Sequence, residues 1–531
     1  MTGKLVTAFA LLLAAVNLTA GAGIASDTAA LPAAEAKFSS PELREKVLAL
    51  FISALLEKDP EKQCAKLIDV IGADPDNAET PFEAFVAAFG NVKNPKPLLE
   101  KFDAMHKKHP AHPLVTLHAL ALHRACGATP EALLKKGESL LSLPPAKLIN
   151  TRSTSWEPHT TVTLLHSVGE SMLKLGKYKE LAALYNKWLS APAPHALSAA
   201  LALADYCHTA AARAYAAGDS AAGKVLESCF NNTTELLKNA DKLPPNRKRD
   251  AVILLFYTNF KKLFPQAAVN FARSYDQRVN SSESNLWLLS SAVDCGSIMD
   301  LNKAVGVITE INPRFNAAEL RFKAHLNAGN VNAAQKELSR IPEEKRFEFQ
   351  SLLYTSKKDW KTLAALIDSR LKAGTPPDLQ TGIIMLTLAE KLSDIALFRR
   401  AEKIVAPHLE NPGVANAVGY ISTELGIELP RARKLLTKAL EKEPDNAAYL
   451  DSMAWVAFKE KRYAEAEKWI SKAFANMNPR EGVAVIFDHA GDIAAAQGKD
   501  PLPRYHLSLK YAPFDNEFDK NAVIRKMKGL K

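Results

Sequence analysis

Small, apolar and charged positions recur in a fixed order near the C-terminus. Residues 432–444 (ARKLLTKALEKEP) and 466–479 (AEKWISKAFANMNP) share one template. Ala432 and Ala466 are 34 residues apart, and so are Ala439 and Ala473. Within each copy the two alanines are seven residues apart, two turns along one helix face. Small side chains there let a neighbouring helix approach closely. A proline follows each copy, where it halts further winding. This period predicts one helix, a turn, a second helix and a short link.

Looser copies lie upstream. Gly127, Ala132 and Pro144 have the turn, packing and stop spacing of one unit. Gly169, Gly176 and Tyr178 give another, Ala211 with Gly218 a third, and Phe322, Gly329 and Ala334 a fourth. Gly491 and Gly498 repeat the spacing of Gly169 and Gly176. Recurrence at fixed offsets carries the weight, because each single match is weak. Long alternating runs of valine, threonine and isoleucine are missing, so no sheet is predicted. The first helix is predicted to start at Ser40-Pro41-Glu42, with Ser40 as N-cap and Pro41 in the first turn.

Residues 416–498 resemble the C-terminal array of bacterial exported tetratricopeptide-repeat (TPR) proteins. The resemblance rests on NAVGYISTELG (416–426), YLDSMAWVAF (449–458), RYAEAEKWISKAF (462–474) and DHAGD (488–492). The rest of the chain is only generically similar. The resemblance implies an all-α fold, a TPR-type α-solenoid: a right-handed superhelix of antiparallel helix pairs that recruits partners and has no chemistry of its own. Pro503 and Lys510 fall where the template wants small residues, so the last unit is expected to be distorted or to act as a cap. The chain then reads as a signal peptide (1–25), a mobile leader (26–39), N-terminal TPR-like repeats (40–240), middle repeats (250–410), and a C-terminal array with a capping helix (411–531). The stretch DKLPPNRKR (241–249) is the best hinge candidate. Thr375-Pro376-Pro377 and Asn411-Pro412-Gly413 are lesser breaks, equally readable as links between helices.

Composition narrows the class. Hydrophobic residues are 47% and charged residues 24%, which excludes intrinsic disorder for the whole. Lys4 precedes an apolar run at 5–16, too short to span a bilayer, and Ala20-Gly21-Ala22 and Gly23-Ile24-Ala25 both fit a cleavage site. Cleavage after Ala22 and after Ala25 stay open. No later stretch suits a transmembrane span. The expectation is export, with periplasmic residence; secretion or an uncleaved anchor are the alternatives. The net charge of +10 is mild over 531 residues. Basic clusters at 246–249 and at Arg525, Lys526, Lys528 and Lys531 read as a solvated linker and a solvated tail, and export argues against a nucleic-acid partner. Cys64, Cys126, Cys207, Cys229 and Cys295 match no zinc spacing, and their odd number leaves at least one free thiol. A Cys207–Cys229 disulfide is conceivable; buried free thiols are the preferred reading.

The resemblance also implies a concave face lined by the first helix of each pair. Ala454, twelve residues before Ala466, is placed at its close-packing position. Asp451, Trp455 and Phe458 then face the groove. Gly491 is placed at the same position of the next unit, which adds Asp488 and Asp492. Acidic and aromatic residues side by side suit a basic or amphipathic peptide. The alternative is architectural: Trp455 packing between repeats, and the aspartates bonding within the array. His106, His109, His112, His118 and His123 cluster, but Pro110 and Pro113 break the helix between them, so they read as an exposed, partly disordered turn rather than a metal site. No HExxH, GxSxG, GxxxxGK[ST] or CxxC is present, and His489 beside Asp488 has no evident nucleophile. No catalytic residue, metal or cofactor is therefore expected. The leading expectation is a non-enzymatic protein–protein interaction scaffold of the cell envelope, binding a partner protein or peptide in the groove. The alternative is a carbohydrate- or lipid-handling envelope protein on an α-solenoid, with weak hydrolase activity.

Overall fold

The computed structural model describes residues 40–77, 79–110, 112–145, 158–238, 240, 247–374, 376–515 and 518–530. The signal peptide and leader, residues 241–246 of the hinge candidate, and Thr375 lie outside the described residues. Within them all regular structure is helical, with no strand.

In chain order the helices are α1 (Pro41–Leu55), α2 (Pro60–Ala73), α3 (Glu79–Phe89), α4 (Lys96–His106), α5 (Pro113–Ala125), α6 (Pro130–Ser142), α7 (Pro158–Lys174), α8 (Tyr178–Leu189), α9 (Ala193–Ala216) and α10 (Ser220–Leu237). There follow α11 (Arg247–Asn259), α12 (Pro265–Val279), α13 (Ser282–Cys295), α14 (Ile298–Ile311), α15 (Ala318–Asn327), α16 (Val331–Glu337), α17 (Glu343–Ser356), α18 (Trp360–Lys372), α19 (Leu379–Leu392) and α20 (Ile395–Val405). The last seven are α21 (Pro412–Glu424), α22 (Leu429–Lys442), α23 (Ala447–Lys459), α24 (Tyr463–Asn476), α25 (Val483–Ala496), α26 (Leu502–Tyr511) and α27 (Lys520–Gly529). They fall into two compact units: Met1–Ala211 with Lys224–Ile253, and Ala212–Gly223 with Leu254–Lys531.

In the first unit, α1 begins as its sequence dictates. Ser40 Oγ accepts a hydrogen bond from the Leu43 amide, and Pro41 occupies a position whose amide needs no helical partner. Leu67, Ile68 and Ile71 of α2 pack with Phe85 of α3 and Phe102 of α4 into a core closed to solvent. His106, His118 and His123 lie on helices and His112 caps one, while His109 lies in the turn between α4 and α5. His106 bonds Thr116 at 3.0 Å, His112 bonds Asp76 at 3.0 Å, and His123 bonds Asp103 at 2.8 Å. His118 is buried and stacks on Phe82 at 3.5 Å between centroids. Four of the five rings have separate neighbours and do not converge; His118 alone is buried. All five cysteines are free thiols, and buried Cys207 and Cys229, on α9 and α10, hydrogen-bond each other.

In the second unit the C-terminal array is built from pairs: α21 with α22, α23 with α24, and α25 with α26. First helices also touch successive first helices, α21 with α23 and α23 with α25, forming an inner layer. Asn411-Pro412-Gly413 leads into α21; Asn411 Oδ1 caps that helix by accepting from the Gly413 amide at 2.9 Å, and Asn446 caps α23 in the same way. The recurring small residues explain the pairing. Ala432, Ala439, Ala466 and Ala473 are fully buried, and a Cβ on Gly419 would stand 2.9 Å from Leu436 Cγ and 3.1 Å from the Ala432 carbonyl oxygen. The last pair departs from the pattern as expected: α26 has 10 residues where α22 and α24 have 14. Its Tyr505 takes the space left by Gly491, where a Cβ would lie 2.2 Å from the ring.

Candidate functional site: an acidic groove in the C-terminal repeats

The inner layer of α21, α23 and α25, with the end of α19, α27 and adjoining links, lines a cavity of about 750 Å³. Nine carboxylates and two lysines line it, in a chain whose net charge is +10. Asp451, Trp455, Asp488 and Asp492 all contribute to its wall, whereas Phe458 does not. Phe458 instead stacks on Trp455, centroids 4.7 Å apart and planes 7° from parallel.

These side chains sit at different depths. Asp451 and Trp455 are only 5% and 6% exposed. Beneath the groove, His489 Nδ1 approaches both Asp451 carboxylate oxygens at 3.0 Å. The imidazole also lies flat on Trp455, 4.0 Å between centroids. Burial works to lower the His489 pKa, but the Asp451 charge and hydrogen bond outweigh it, aided by Glu424 and Asp488, and the net shift is upward. Lys459 Nζ stands 4.8 Å from the Trp455 centroid and adds a cation–π contact to the ring. Asp451 and Trp455 therefore act first as architecture, forming the floor of the groove.

Asp488 and Asp492 stand on one face of α25, one turn apart. Lys526 Nζ of α27 donates to Asp488 Oδ1 at 2.8 Å and to Asp492 Oδ2 at 2.7 Å. The Tyr505 hydroxyl donates to Asp492 Oδ1 at 2.7 Å. Burial raises the Asp488 pKa against the pull of Lys526. Burial opposes the Lys526 charge, yet the two aspartates hold its pKa above the ordinary value. Lys526 is thus not part of a solvated tail. The basic spacing that suggested one is that of a short helix with one face on the groove; Arg525 and Lys528 do face solvent. Composition alone cannot separate Lys526 from its neighbours, and His489, Asn416 and Tyr420 carry no spacing that assigns them to the groove.

Among the described residues no cluster of histidine, cysteine and carboxylate side chains could hold a metal ion, and no helix is long and apolar enough to cross a membrane.

No family model matches the chain. It is similar to the TPR repeat-containing protein PA4667 of Pseudomonas aeruginosa, 28% identical over 199 residues, which are 35% of this chain and 33% of that protein. The chain thus covers about a third of the length of the curated relative it matches. Among solved structures, yeast Tom70 aligns at 13% identity over 92% of this chain and 96% of its own, with a TM-score of 0.31. The Cut9 and Hcn1 hetero-tetramer of the APC/C aligns at 12%, over 92% and 96%, with a TM-score of 0.32. The pentatricopeptide repeat protein PPR10 from maize aligns at 15%, over 93% and 73%, with a TM-score of 0.34. The paired helices and the small residues where they cross form an α-solenoid of tetratricopeptide type, and in sequence the chain is similar to a TPR repeat-containing protein.

Proposed function

We propose that the chain is a non-enzymatic interaction scaffold of the cell envelope that holds a basic segment of a partner protein in the acidic groove. The observation that carries this reading is the imbalance of charge: nine carboxylates facing two lysines in a cavity of about 750 Å³. A cationic peptide replaces its hydration there with charge-assisted hydrogen bonds, and the aromatic floor offers apolar contact. The apolar run behind Lys4 supports the compartment.

The test is affinity capture from envelope extract with the full chain and with an Asp445→Lys/Glu481→Lys variant. Both residues are exposed on the groove wall, so the change reverses charge without disturbing the Asp451–His489 pair. A protein enriched by the parent chain and lost with the variant supports the groove. Equal capture by both would move the binding surface elsewhere. N-terminal sequencing of the protein from the envelope fraction tests export: a start at Gly23 or Ser26 supports it, and a cytoplasmic protein beginning at Met1 refutes it.

A further inference from the structure

The groove already holds a cation supplied by the chain itself. Lys526 bridges Asp488 and Asp492, and its ammonium lies 5.8 Å from the centre of the Tyr505 ring. The helix that carries it is short, and Val523 is its one fully buried apolar residue. Ile524, Arg525 and Lys528 on the same helix face solvent. Besides that anchor, the ten-residue helix is held mainly by the bonds of Lys526 to the two aspartates. Undocking would remove Lys526 and Asp519 from the lining together, leaving eight carboxylates facing a single lysine.

Two buried polar atoms on the same lining have no hydrogen-bond partner among the described residues. Trp455 Nε1–H is a donor and Asn416 Oδ1 is an acceptor. A polypeptide main chain offers the complement of both, a carbonyl oxygen and an amide N–H. A metal ion or a polyamine offers only one of these complements.

We infer that α27 is a tethered occupant of the groove, with Lys526 holding the place of a lysine on an incoming peptide segment, so that docking of α27 and binding of the partner exclude one another. This rests on the scaffold reading above and adds two things to it. The partner segment carries a lysine that reaches Asp488 and Asp492, and the empty groove is exposed only when α27 lifts.

The test uses the full chain and a labelled synthetic peptide of residues 518–530, followed by fluorescence anisotropy. The Lys526→Ala chain should bind the peptide at least about tenfold more tightly than the parent chain, because the tethered competitor is weakened. A peptide carrying the same Lys526→Ala change should bind at least about tenfold more weakly, having lost its charge-assisted bonds. Asp488→Asn/Asp492→Asn added to the Lys526→Ala chain should abolish binding. Equal binding by the parent and Lys526→Ala chains, or indifference to the lysine of the peptide, overturns the proposal. Should the Lys526→Ala chain lose helicity, hydrogen exchange of the parent chain with poly-L-lysine decides. Faster exchange over residues 520–529, with α25 still protected, supports displacement; unchanged exchange there overturns it. If displacement fails while capture still depends on Asp445 and Glu481, the scaffold reading stands and only the tethered occupant falls.

Discussion

His489 Nδ1 stands 3.0 Å from each carboxylate oxygen of Asp451, across two helix pairs and in a site closed to solvent. The pair is pinned from several sides. Trp455 covers one face of the imidazole, Tyr420 approaches at 6.1 Å between centroids, and Glu424 and Asp488 add negative potential. The folded pKa of His489 is raised, so its contribution to stability is complete below the unfolded value of about 6.5 and is lost as pH rises through the folded value. Urea denaturation of the parent and His489→Gln chains should show the largest advantage of the parent near pH 6. That advantage should shrink on the alkaline side. An advantage that grows with pH would refute the upward shift of the His489 pKa.

Removing one member of a buried pair leaves the other without its partner in a site shielded from water. Asp451→Ala should destabilise the chain by about 3–5 kcal/mol, measured by urea denaturation. Asp445→Lys, on the exposed rim of the same cavity, should change it by less than about 0.5 kcal/mol. The contrast separates floor from rim. Loss of binding in an Asp451 variant, taken alone, reports the floor as much as the ligand.

The repeat was legible because its signal is local and steric. Ala432, Ala439, Ala466 and Ala473 must be small wherever two helices cross, so their spacing betrays the crossing. Register carried further, and placed Asp451, Trp455, Asp488 and Asp492 on one wall. Depth was not legible. His489 is turned away from Asp488 on its own helix, and its partner Asp451 lies 38 residues back in the chain. Lys526 meets Asp492 across 34 residues. No periodicity within a helix encodes such contacts, so spacing alone predicts a groove of free carboxylates where the chain supplies its own cations.

Gly491 offers a sharper steric test. A Cβ there would stand 2.2 Å from the Tyr505 ring, which cannot retreat without giving up its hydrogen bond to Asp492. Gly491→Ala should cost about 1–3 kcal/mol by overpacking, and Tyr505→Ala in the same chain should recover part of it in a double-mutant cycle. Gly306, inside α14, has an ordinary helical backbone and nothing within 4 Å of where a Cβ would stand. Gly306→Ala should therefore stabilise by about 0.5–1 kcal/mol. Equal effects at the two glycines would refute the close α25–α26 approach.

Several turns inside the helix pairs place a residue other than glycine in the left-handed region, and Lys461 is the one flanked by equivalent turns that use glycine. Gly426 (φ 68°) and Gly498 (φ 71°) end their first helices in the left-handed region that glycine tolerates. Lys461 occupies the same turn of the intervening pair at φ 62°. The hydrogen bonds match: the Gly426, Lys461 and Gly498 amides donate to the carbonyls of Thr423, Phe458 and Ala495, and the following amides reach back to Ser422, Ala457 and Ala494. The turn therefore dictates the backbone, and a Cβ at Lys461 opposes it by about 1–2 kcal/mol. Lys461 is exposed, so its side chain has little packing to lose. Lys461→Gly relieves the strain but adds freedom to the unfolded chain, for a net gain of about 0.5–1 kcal/mol in thermal or urea denaturation. Gly426→Ala runs the other way, introducing the same clash, and should lose about 1–2 kcal/mol. A Lys461→Gly chain less stable than the parent would mean that the lysine side chain, and not the turn, sets the conformation there.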